Sequence, residues 1–377
     1  MDLRYSDEDE TFREELRAWL VAELAKLPPP PERNDWRGRR AYDTDWQRRL
    51  FDGGYAGMGW PLEHGGQGAS PDRELIFLEE AARADAPYVG VNFVGLLHAG
   101  PTLIAEGSTA QQAEHLAKIL RGDEVWCQGF SEPDAGSDLA ALRTAAVRDG
   151  DDYVVSGAKI WCSFGQVADV AELLVRTDPD APKHQGITWL MLPMDAPGIE
   201  IRPIETVLGS SEFCEVFLDD VRVPVANRVG EENDGWRVTQ VTLAFERGTA
   251  FVSELVDARR LVQRLVPLAT DPGDRRELGH VIAELDGEWA LTKRNVTQAA
   301  RGAPGPGAMM LKLAYSETRQ RLGELSLHLL GREALVIDEI VEERLRTLAL
   351  PIAAGTSQIQ RNIIGERVLG LPREPRP

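Results

Sequence analysis

The sequence predicts an α+β protein in which helices come first, short strands occupy the middle, and helices return to the end. Apolar residues recur at helical spacing in the first third, β-rich runs separated by turn residues follow, and helical periodicity resumes after Val229. The length of 377 residues exceeds what one hydrophobic core normally serves. The layout predicts three domains, at residues 1–122, 123–230 and 231–377.

Local signals mark three helices in the first domain. Ser6 can cap the first helix, and the three prolines at residues 28–30 end it. The second helix ends at Gly53-Gly54. Ser70-Pro71 opens the third, because a capping residue is followed by a proline in the first turn.

The middle domain is predicted to be a small antiparallel barrel or sandwich, since its short runs recur without a βαβ crossover pattern. The predicted strands lie at residues 125–130, 144–148, 153–156, 173–176, 187–192, 199–204 and 215–218. The predicted helices of the third domain lie at residues 235–268, 274–301, 308–330 and 356–369.

The formal net charge of −19 disfavours a nucleic-acid partner, because no local basic patch offsets it. The N-terminus is acidic where a signal peptide is basic, and no apolar run approaches the roughly 20 residues that a membrane span needs. The three cysteines are predicted to be buried thiols in a reducing compartment, and the six histidines lack metal-ligand spacing. We therefore expect a cytoplasmic protein without a metal site or membrane span.

Several familiar catalytic motifs are absent from the sequence. It contains no G-x-G-x-x-G after a strand, no phosphate-binding G-x-x-x-x-G-K-[ST] run and no G-x-S-x-G elbow. Nicotinamide binding on a Rossmann fold, P-loop chemistry and α/β-hydrolase chemistry are accordingly unsupported.

Three other runs have unusual compositions. Residues 131–138 read Ser-Glu-Pro-Asp-Ala-Gly-Ser-Asp, residues 157–163 read Gly-Ala-Lys-Ile-Trp-Cys-Ser, and residues 355–361 read Gly-Thr-Ser-Gln-Ile-Gln-Arg. Taken singly, they fit a turn, a turn before a buried tryptophan, and a helix cap. Together and in this order they resemble the acyl-CoA dehydrogenase family, along essentially the whole chain.

This resemblance implies the family's fold: an N-terminal helical domain, a middle antiparallel β-domain and a C-terminal four-helix bundle. It also implies FAD as cofactor and an acyl-CoA as substrate. The residues that would bind FAD are Gln128, Phe130, Ser131, Trp161, Ser163, Thr356 and Gln358. On the substrate side, Ser137 would contact the CoA, the N–H of Ala354 could donate to the thioester oxygen, and Arg247 would also bind the substrate.

The position of the catalytic base departs from the commoner family pattern. Many members carry a glutamate two residues before the threonine of the Gly-Thr-Ser-Gln-Ile-Gln-Arg run, where this sequence has Ala354. A minority, resembling isovaleryl-CoA dehydrogenase, place it on the helix after the β-domain, just before an arginine. Glu246, followed by Arg247, matches that pattern and is the expected base. The ordinary alternative is a solvated Glu beside an Arg.

Two further departures concern FAD binding. The Arg-x-x-Phe-Gly-x-x-Ile motif is missing around residues 268–279, and the Gly-Gly-x-Gly-Phe run is replaced at residues 329–334. This pattern resembles the base-bearing subunit of the α2β2 acyl-CoA dehydrogenases of actinobacterial steroid side-chain degradation. It implies a paralogous partner subunit, a bulky or branched acyl-CoA and an electron-transfer flavoprotein or similar acceptor. A non-catalytic scaffold subunit, or an acyl-CoA oxidase or monooxygenase on the same fold, remain alternatives.

Overall fold

The computed structural model describes residues 5–87, 89–245, 252–300 and 307–373. Helices, then a sheet, then helices follow one another along the chain, which confirms the predicted α+β layout. The first group of helices is α1 Asp7–Leu24, α2 Trp36–Asp52, α3 Pro71–Arg83, α4 Gly100–Glu106 and α5 Thr109–Arg121.

The ends of these helices are set by the predicted local signals. The Ser6 hydroxyl accepts the N–H of Asp9 at 3.2 Å, and the Ser70 hydroxyl accepts the N–H of Arg73 at 3.3 Å. Gly53 caps the end of α2. Each cap supplies a partner to a backbone group that the helix leaves unsatisfied.

Eight strands form one sheet within the described residues. They are β1 Trp126–Gly129, β2 Ala145–Asp149, β3 Asp152–Ser163, β4 Val170–Arg176, β5 Ile187–Pro193, β6 Ile199–Ile204, β7 Phe213–Pro224 and β8 Arg228–Val229. The order is β6-β7-β3-β2-β4-β5-β8, and β1 pairs with β4.

The sheet departs from the predicted antiparallel arrangement at β4. β1 runs parallel to β4, and β2 has a single parallel pairing with β4. The β2–β3 hairpin lies between β1 and β4 in the chain, so the chain reverses twice and can return in its original direction. Alternation of apolar residues does not report strand direction, so the sequence could not reveal this pairing.

One apolar core is formed by the inward-facing residues of the sheet. Cys127, Cys162 and Cys214 belong to it, and all three are free and buried, as predicted. β3 alternates buried and partly exposed residues, whereas the first six residues of β4 are all buried. β4 is therefore a central strand, and a charged side chain among its first six residues has no direct access to water.

The last group of helices is α6 Gly235–Phe245, α7 Val252–Leu265, α8 Pro272–Ala300, α9 Gly307–Leu330, α10 Glu339–Thr347 and α11 Ser357–Ile363. The sequence predicted one helix over residues 235–268, but residues 246–251 lie outside the described residues. α10 was not predicted. A π-helical turn, Ile364–Val368, follows α11 within the segment predicted as one helix.

The contacts divide the chain into two compact units. One contains the described parts of residues 1–21, 70–86 and 247–377, and the other those of residues 22–69 and 87–246. Within the first unit, buried Arg13 on α1 pairs with Glu79 and Glu80 on α3 at 3.2 and 2.7 Å. The division into three domains stays a prediction. No helix in the described ranges is long and apolar enough to cross a membrane.

Candidate active site

A tight turn follows β1 in the run that begins at Ser131. Glu132 and Ala135 exchange backbone hydrogen bonds of 3.1 and 3.0 Å, which close the turn around Pro133 and Asp134. Ser131 is partly exposed and Ser137 exposed, whereas the Phe130 side chain is buried. The turn thus presents hydroxyl groups and backbone at the surface of this unit.

A buried ion pair holds this turn against β3. The ammonium of Lys159 lies 2.8 Å from Glu132 Oε1 and donates to the Phe130 carbonyl at 3.2 Å. Glu132 also accepts the N–H groups of Arg143 and Thr144 at 2.7 and 2.8 Å. Every oxygen of this carboxylate therefore has a donor, which is the condition for keeping a charge buried.

The pKa values of the pair shift as this environment requires. Burial raises the pKa of Glu132, but attraction to Lys159 and the hydrogen bonds outweigh it, so the net shift is downward. Burial lowers the pKa of Lys159, and the neighbouring Glu132 opposes that shift.

Trp161 lies in a bulge of β3. The register between β3 and β7 shifts between Lys159 and Cys162, and Trp161 has a φ of 64°. Bulges redirect side chains, and a left-handed φ is strained for an aromatic residue. Its indole stays 55% exposed, with its ring centroid 6.0 Å from that of Phe213. The strand therefore directs a large aromatic ring into solvent.

The two motif runs of the β-domain lie side by side. The N–H of Ile160 donates to the carbonyl of Ser131 at 3.0 Å, which joins the turn to the bulge. Earlier on β3, Gly157 permits a close approach to Thr144, because a Cβ there would lie 2.7 Å from the Thr144 Cα. Ser163, two residues beyond the indole, is partly exposed.

Gln128 on β1 is the remaining predicted flavin contact of the β-domain. Its side chain is partly exposed, and its amide nitrogen donates to Glu172 on β4 at 2.6 Å. The structure therefore brings together Gln128, Phe130, Ser131, Trp161 and Ser163 on one sheet and its adjoining turn.

The C-terminal run belongs to the other compact unit. The Thr356 hydroxyl accepts the N–H of Ile359 at 3.1 Å and caps α11, and Gln358 is exposed. Ala354 and Gly355 have φ values of 51° and 86°. The Ala354 residue is exposed, and among the described residues its N–H has no hydrogen-bond acceptor.

Two predicted residues, Glu246 and Arg247, lie outside the described residues. The helix before them, α6, is anchored within its unit by a hydrogen bond of 2.9 Å between the buried hydroxyls of Thr242 and Thr102. Among the residues that the structure describes, no group of His, Cys, Asp and Glu side chains is placed to hold a metal ion.

The sequence analysis did not predict the buried residues that support the exposed site residues. Lys159 and Glu132 both lie inside the motif runs, and their opposite charges were the signal that could have predicted an ion pair. Glu172 is the single charged residue among the first six positions of β4, in a run that is otherwise apolar. A carboxylate in a buried strand indicates a specific partner.

Comparisons with known proteins indicate the same family over nearly the whole chain. The N-terminal domain model of acyl-CoA dehydrogenases matches residues 6–123, the middle domain model residues 127–221, and the C-terminal domain model residues 233–369. Acyl-CoA dehydrogenase IpdE1 of Mycobacterium tuberculosis is 40% identical, over 97% of this chain and 98% of its own length.

Solved structures give the same result. The "Tcur3481-Tcur3483 steroid ACAD" structure has a TM-score of 0.87 and 31% identity, over 99% of this chain and 100% of that one. The ChsE4-ChsE5 complex from Mycobacterium tuberculosis has a TM-score of 0.85 and 33% identity, with coverage of 99% and 100%.

The chain belongs to the acyl-CoA dehydrogenase family, whose members are oxidoreductases that generally bind FAD. This result confirms the resemblance found in the sequence. The roles of the individual site residues stay predictions.

Proposed function

We propose that this chain is the base-bearing subunit of an FAD-dependent acyl-CoA dehydrogenase that introduces an α,β double bond into a bulky or branched acyl-CoA. The observation that carries the proposal is that the exposed Trp161 lies beside the hydroxyl-bearing turn at Ser131. The 3.0 Å hydrogen bond from the Ile160 N–H to the Ser131 carbonyl holds the two segments together. Family membership supplies the reaction class.

The β-domain residues fit a flavin. An indole that is 55% exposed, on a strained backbone, loses little by being covered and gains from stacking on a planar ring. Ser131 and Ser163 offer hydroxyl donors, and Gln128 offers an amide. When bound, FAD accepts the hydride that leaves the β-carbon of the substrate.

The proton chemistry falls to the chain's own residues. Glu246 is the proposed acceptor of the α-proton, because the commoner glutamate position is occupied by Ala354, which has no titratable group. The exposed N–H of Ala354 is the proposed donor to the thioester oxygen, where negative charge develops as the proton leaves. Arg247 is proposed to contact the substrate, and Ser137 its CoA part.

A second kind of subunit is proposed to complete the FAD site. The arginine motif that usually reaches a neighbour's pyrophosphate is absent at residues 268–279, and lost charge-assisted hydrogen bonds cost about 1.5–3 kcal/mol each. Two of the similar solved structures are each named for a pair of proteins, ChsE4-ChsE5 and Tcur3481-Tcur3483. We therefore propose a paralogous partner in an α2β2 tetramer, with an electron-transfer flavoprotein or similar acceptor.

The substrate class rests on two supports. The vacated position at Ala353-Ala354 and the small residues at 248–250 would leave room for α-branching or a ring. One structurally similar protein is described as a steroid ACAD. A CoA thioester of a steroid side chain is the substrate we propose, and turnover across straight, branched and steroid thioesters tests it.

The decisive test of the base is the Glu246→Gln variant in the FAD-loaded complex. Anaerobic mixing with the steroid acyl-CoA should reduce the flavin about 10²–10⁴-fold more slowly than in the wild type. Glu231→Gln is the matched control, because that carboxylate is 87% exposed and lies in the same compact unit as α6. Flavin reduction near the wild-type rate in Glu246→Gln would refute the assignment.

Flavin stoichiometry tests the partner. The chain expressed alone should purify with little FAD, and co-expression with a paralogous subunit should restore two FAD per tetramer. Stoichiometric FAD in a homotetramer would contradict the need for a partner. A complex that stays active after Glu246→Ala would instead support a scaffold role, and rapid reaction of the reduced flavin with oxygen would support an oxidase or monooxygenase.

A further inference from the structure

A buried polar cluster lies directly behind Gln128. Gln128 on β1 and Glu172 on β4 are opposite each other in the parallel pairing of the two strands. The Glu172 residue is fully buried, and its Oε1 accepts the Gln128 amide nitrogen at 2.6 Å. The nitrogen end of the Gln128 amide therefore faces the Glu172 carboxyl group. The carbonyl oxygen of Gln128 is consequently the end turned away from Glu172.

His98 is the second member of this cluster. Its Nδ1 lies 3.7 Å from Glu172 Oε1 and 3.5 Å from the Gln128 nitrogen, and the residue is 8% exposed. The ring stands edge-on to Phe93, with centroids 5.5 Å apart. A buried carboxylate is costly without a compensating group, and the imidazole is within range to provide one.

The backbone that carries His98 is itself unusual. His98 lies in a π-helical turn, Gly95–Ala99. Such turns are rare in proteins overall, but they often occur at functional sites. The turn is fixed from outside, because the Trp60 indole donates to the Leu96 carbonyl at 3.2 Å. A Cβ on Gly95 would lie 2.3 Å from the Asn92 side chain, so close packing also holds the turn. The geometry around Glu172 is therefore built by three separate elements.

We propose that Glu172, with His98 beside it, is a positioning residue that fixes the orientation of the Gln128 amide on the flavin side of the site. This inference rests on the proposed function, since FAD is the ligand that Gln128 is proposed to line. With its nitrogen engaged by Glu172, Gln128 presents an acceptor. An acceptor selects a ligand edge that carries an N–H, and the pyrimidine part of the flavin ring carries one.

A double-mutant cycle on FAD affinity tests whether Glu172 acts through Gln128. Glu172→Gln leaves an amide that can donate or accept, so residue 172 no longer determines which end of the Gln128 amide faces it. In the full-length chain with its partner subunit, Glu172→Gln and Gln128→Met should each raise the Kd for FAD about tenfold, as expected for the loss of one hydrogen bond. The double variant should resemble either single one.

The flavin midpoint potential is a second measurement. When the Gln128 amide turns in Glu172→Gln, it can direct a donor instead of an acceptor at the ligand, which favours the electron-rich reduced flavin relative to the oxidised form. We expect the potential to rise by about 30 mV, which is a tenfold change for a two-electron couple. If Glu172→Gln does not fold, Glu172→Met replaces it, because an apolar side chain suits this strand.

The chain supplies a matched control in a second buried histidine–glutamate pair. His115 Nδ1 lies 2.8 Å from Glu124 Oε1, which also accepts the indole N–H of Trp126, two residues before Gln128 on β1. Glu124→Gln should lower Tm yet leave the FAD Kd and the flavin potential at wild-type values.

The outcomes separate the two proposals. Wild-type protein that binds FAD, with a Kd and a potential unchanged by Glu172→Gln, overturns the positioning role alone. The positioning role is also overturned if Glu124→Gln changes the FAD Kd and the flavin potential as much as Glu172→Gln does. It is overturned as well if the effects of the two single substitutions on the Kd multiply in the double variant. Wild-type protein that binds no FAD with any partner overturns the proposed function as well.

Discussion

The ammonium of Lys159 and the carboxylate of Glu132 lie 2.8 Å apart, and their side chains are 0% and 9% exposed. Glu132 belongs to the turn after β1 and Lys159 to β3, so one buried ion pair connects the two runs that carry Ser131 and Trp161. The positions of the exposed residues Ser131 and Trp161 therefore depend on a buried ion pair that does not itself have to contact a ligand.

Removing the cation of this pair should destabilise the protein strongly. Lys159→Met leaves the buried Glu132 without its counter-charge, and breaking a buried pair typically costs about 3–5 kcal/mol. Urea denaturation of the variant should show a loss of about this size. The Lys159→Met/Glu132→Gln double variant should recover part of it, because the uncompensated charge is gone. A single variant within 1 kcal/mol of wild type would show that the pair contributes little.

Trp161 should matter for FAD binding far more than for stability. Its indole is 55% exposed, so Trp161→Ala should change the free energy of unfolding little, while the Kd for FAD rises about tenfold through lost stacking. Trp161→Gly should be more stable than Trp161→Ala by about 1 kcal/mol, because glycine tolerates the φ of 64°. Leu62→Ala, at another exposed apolar residue of the same compact unit, should leave FAD binding intact.

Gly355 should be intolerant of a side chain for two separable reasons. Its φ is 86°, and a Cβ there would lie 2.7 Å from the Gln360 amide nitrogen. Gly355→Ala should cost about 2 kcal/mol and slow turnover, since it displaces the neighbouring Ala354 N–H. Gly331→Ala is the control: its φ is 57° with nothing within 4 Å, so about 1 kcal/mol of backbone strain is expected. Equal losses in both variants would contradict a contact with Gln360.

Glu288 should make stability fall as pH rises. The residue is buried in the helical C-terminal part, accepts the Thr318 hydroxyl at 2.7 Å, and burial raises its pKa from 4.5 to about 7. Between these values the folded protein holds a proton that the unfolded chain releases. The resulting stability is fully present below pH 4.5 and is lost as pH rises to about 7.

The Glu288→Gln variant measures this contribution. It should be more stable than wild type by roughly 3 kcal/mol at pH 8 and nearly equal to it at pH 4.5, by denaturation at both values. Glu277→Gln on the same helix is the control, because that side chain is 65% exposed. A stability difference independent of pH would contradict the raised pKa.

The predictable parts of the fold have local causes. Ser6 and Ser70 cap helices because a hydroxyl three residues before an unpaired N–H is within reach whatever the rest of the chain does. The strand at residues 199–204 was bounded by turn residues and appears with those bounds. The site motifs could be read for the same reason, since each is a short run of adjacent residues.

The sequence by itself determined the family, the order of helices and strands, and which short runs carry the chemistry. Only the tertiary structure decided which residues support those runs. Gln128 meets Glu172 because β1 pairs in parallel with β4, and Trp161 faces outward because β3 bulges against β7. Both outcomes depend on register between strands far apart in the chain, and a shift of one residue would reverse every side chain. That register is set by packing of the whole sheet, which no local pattern records.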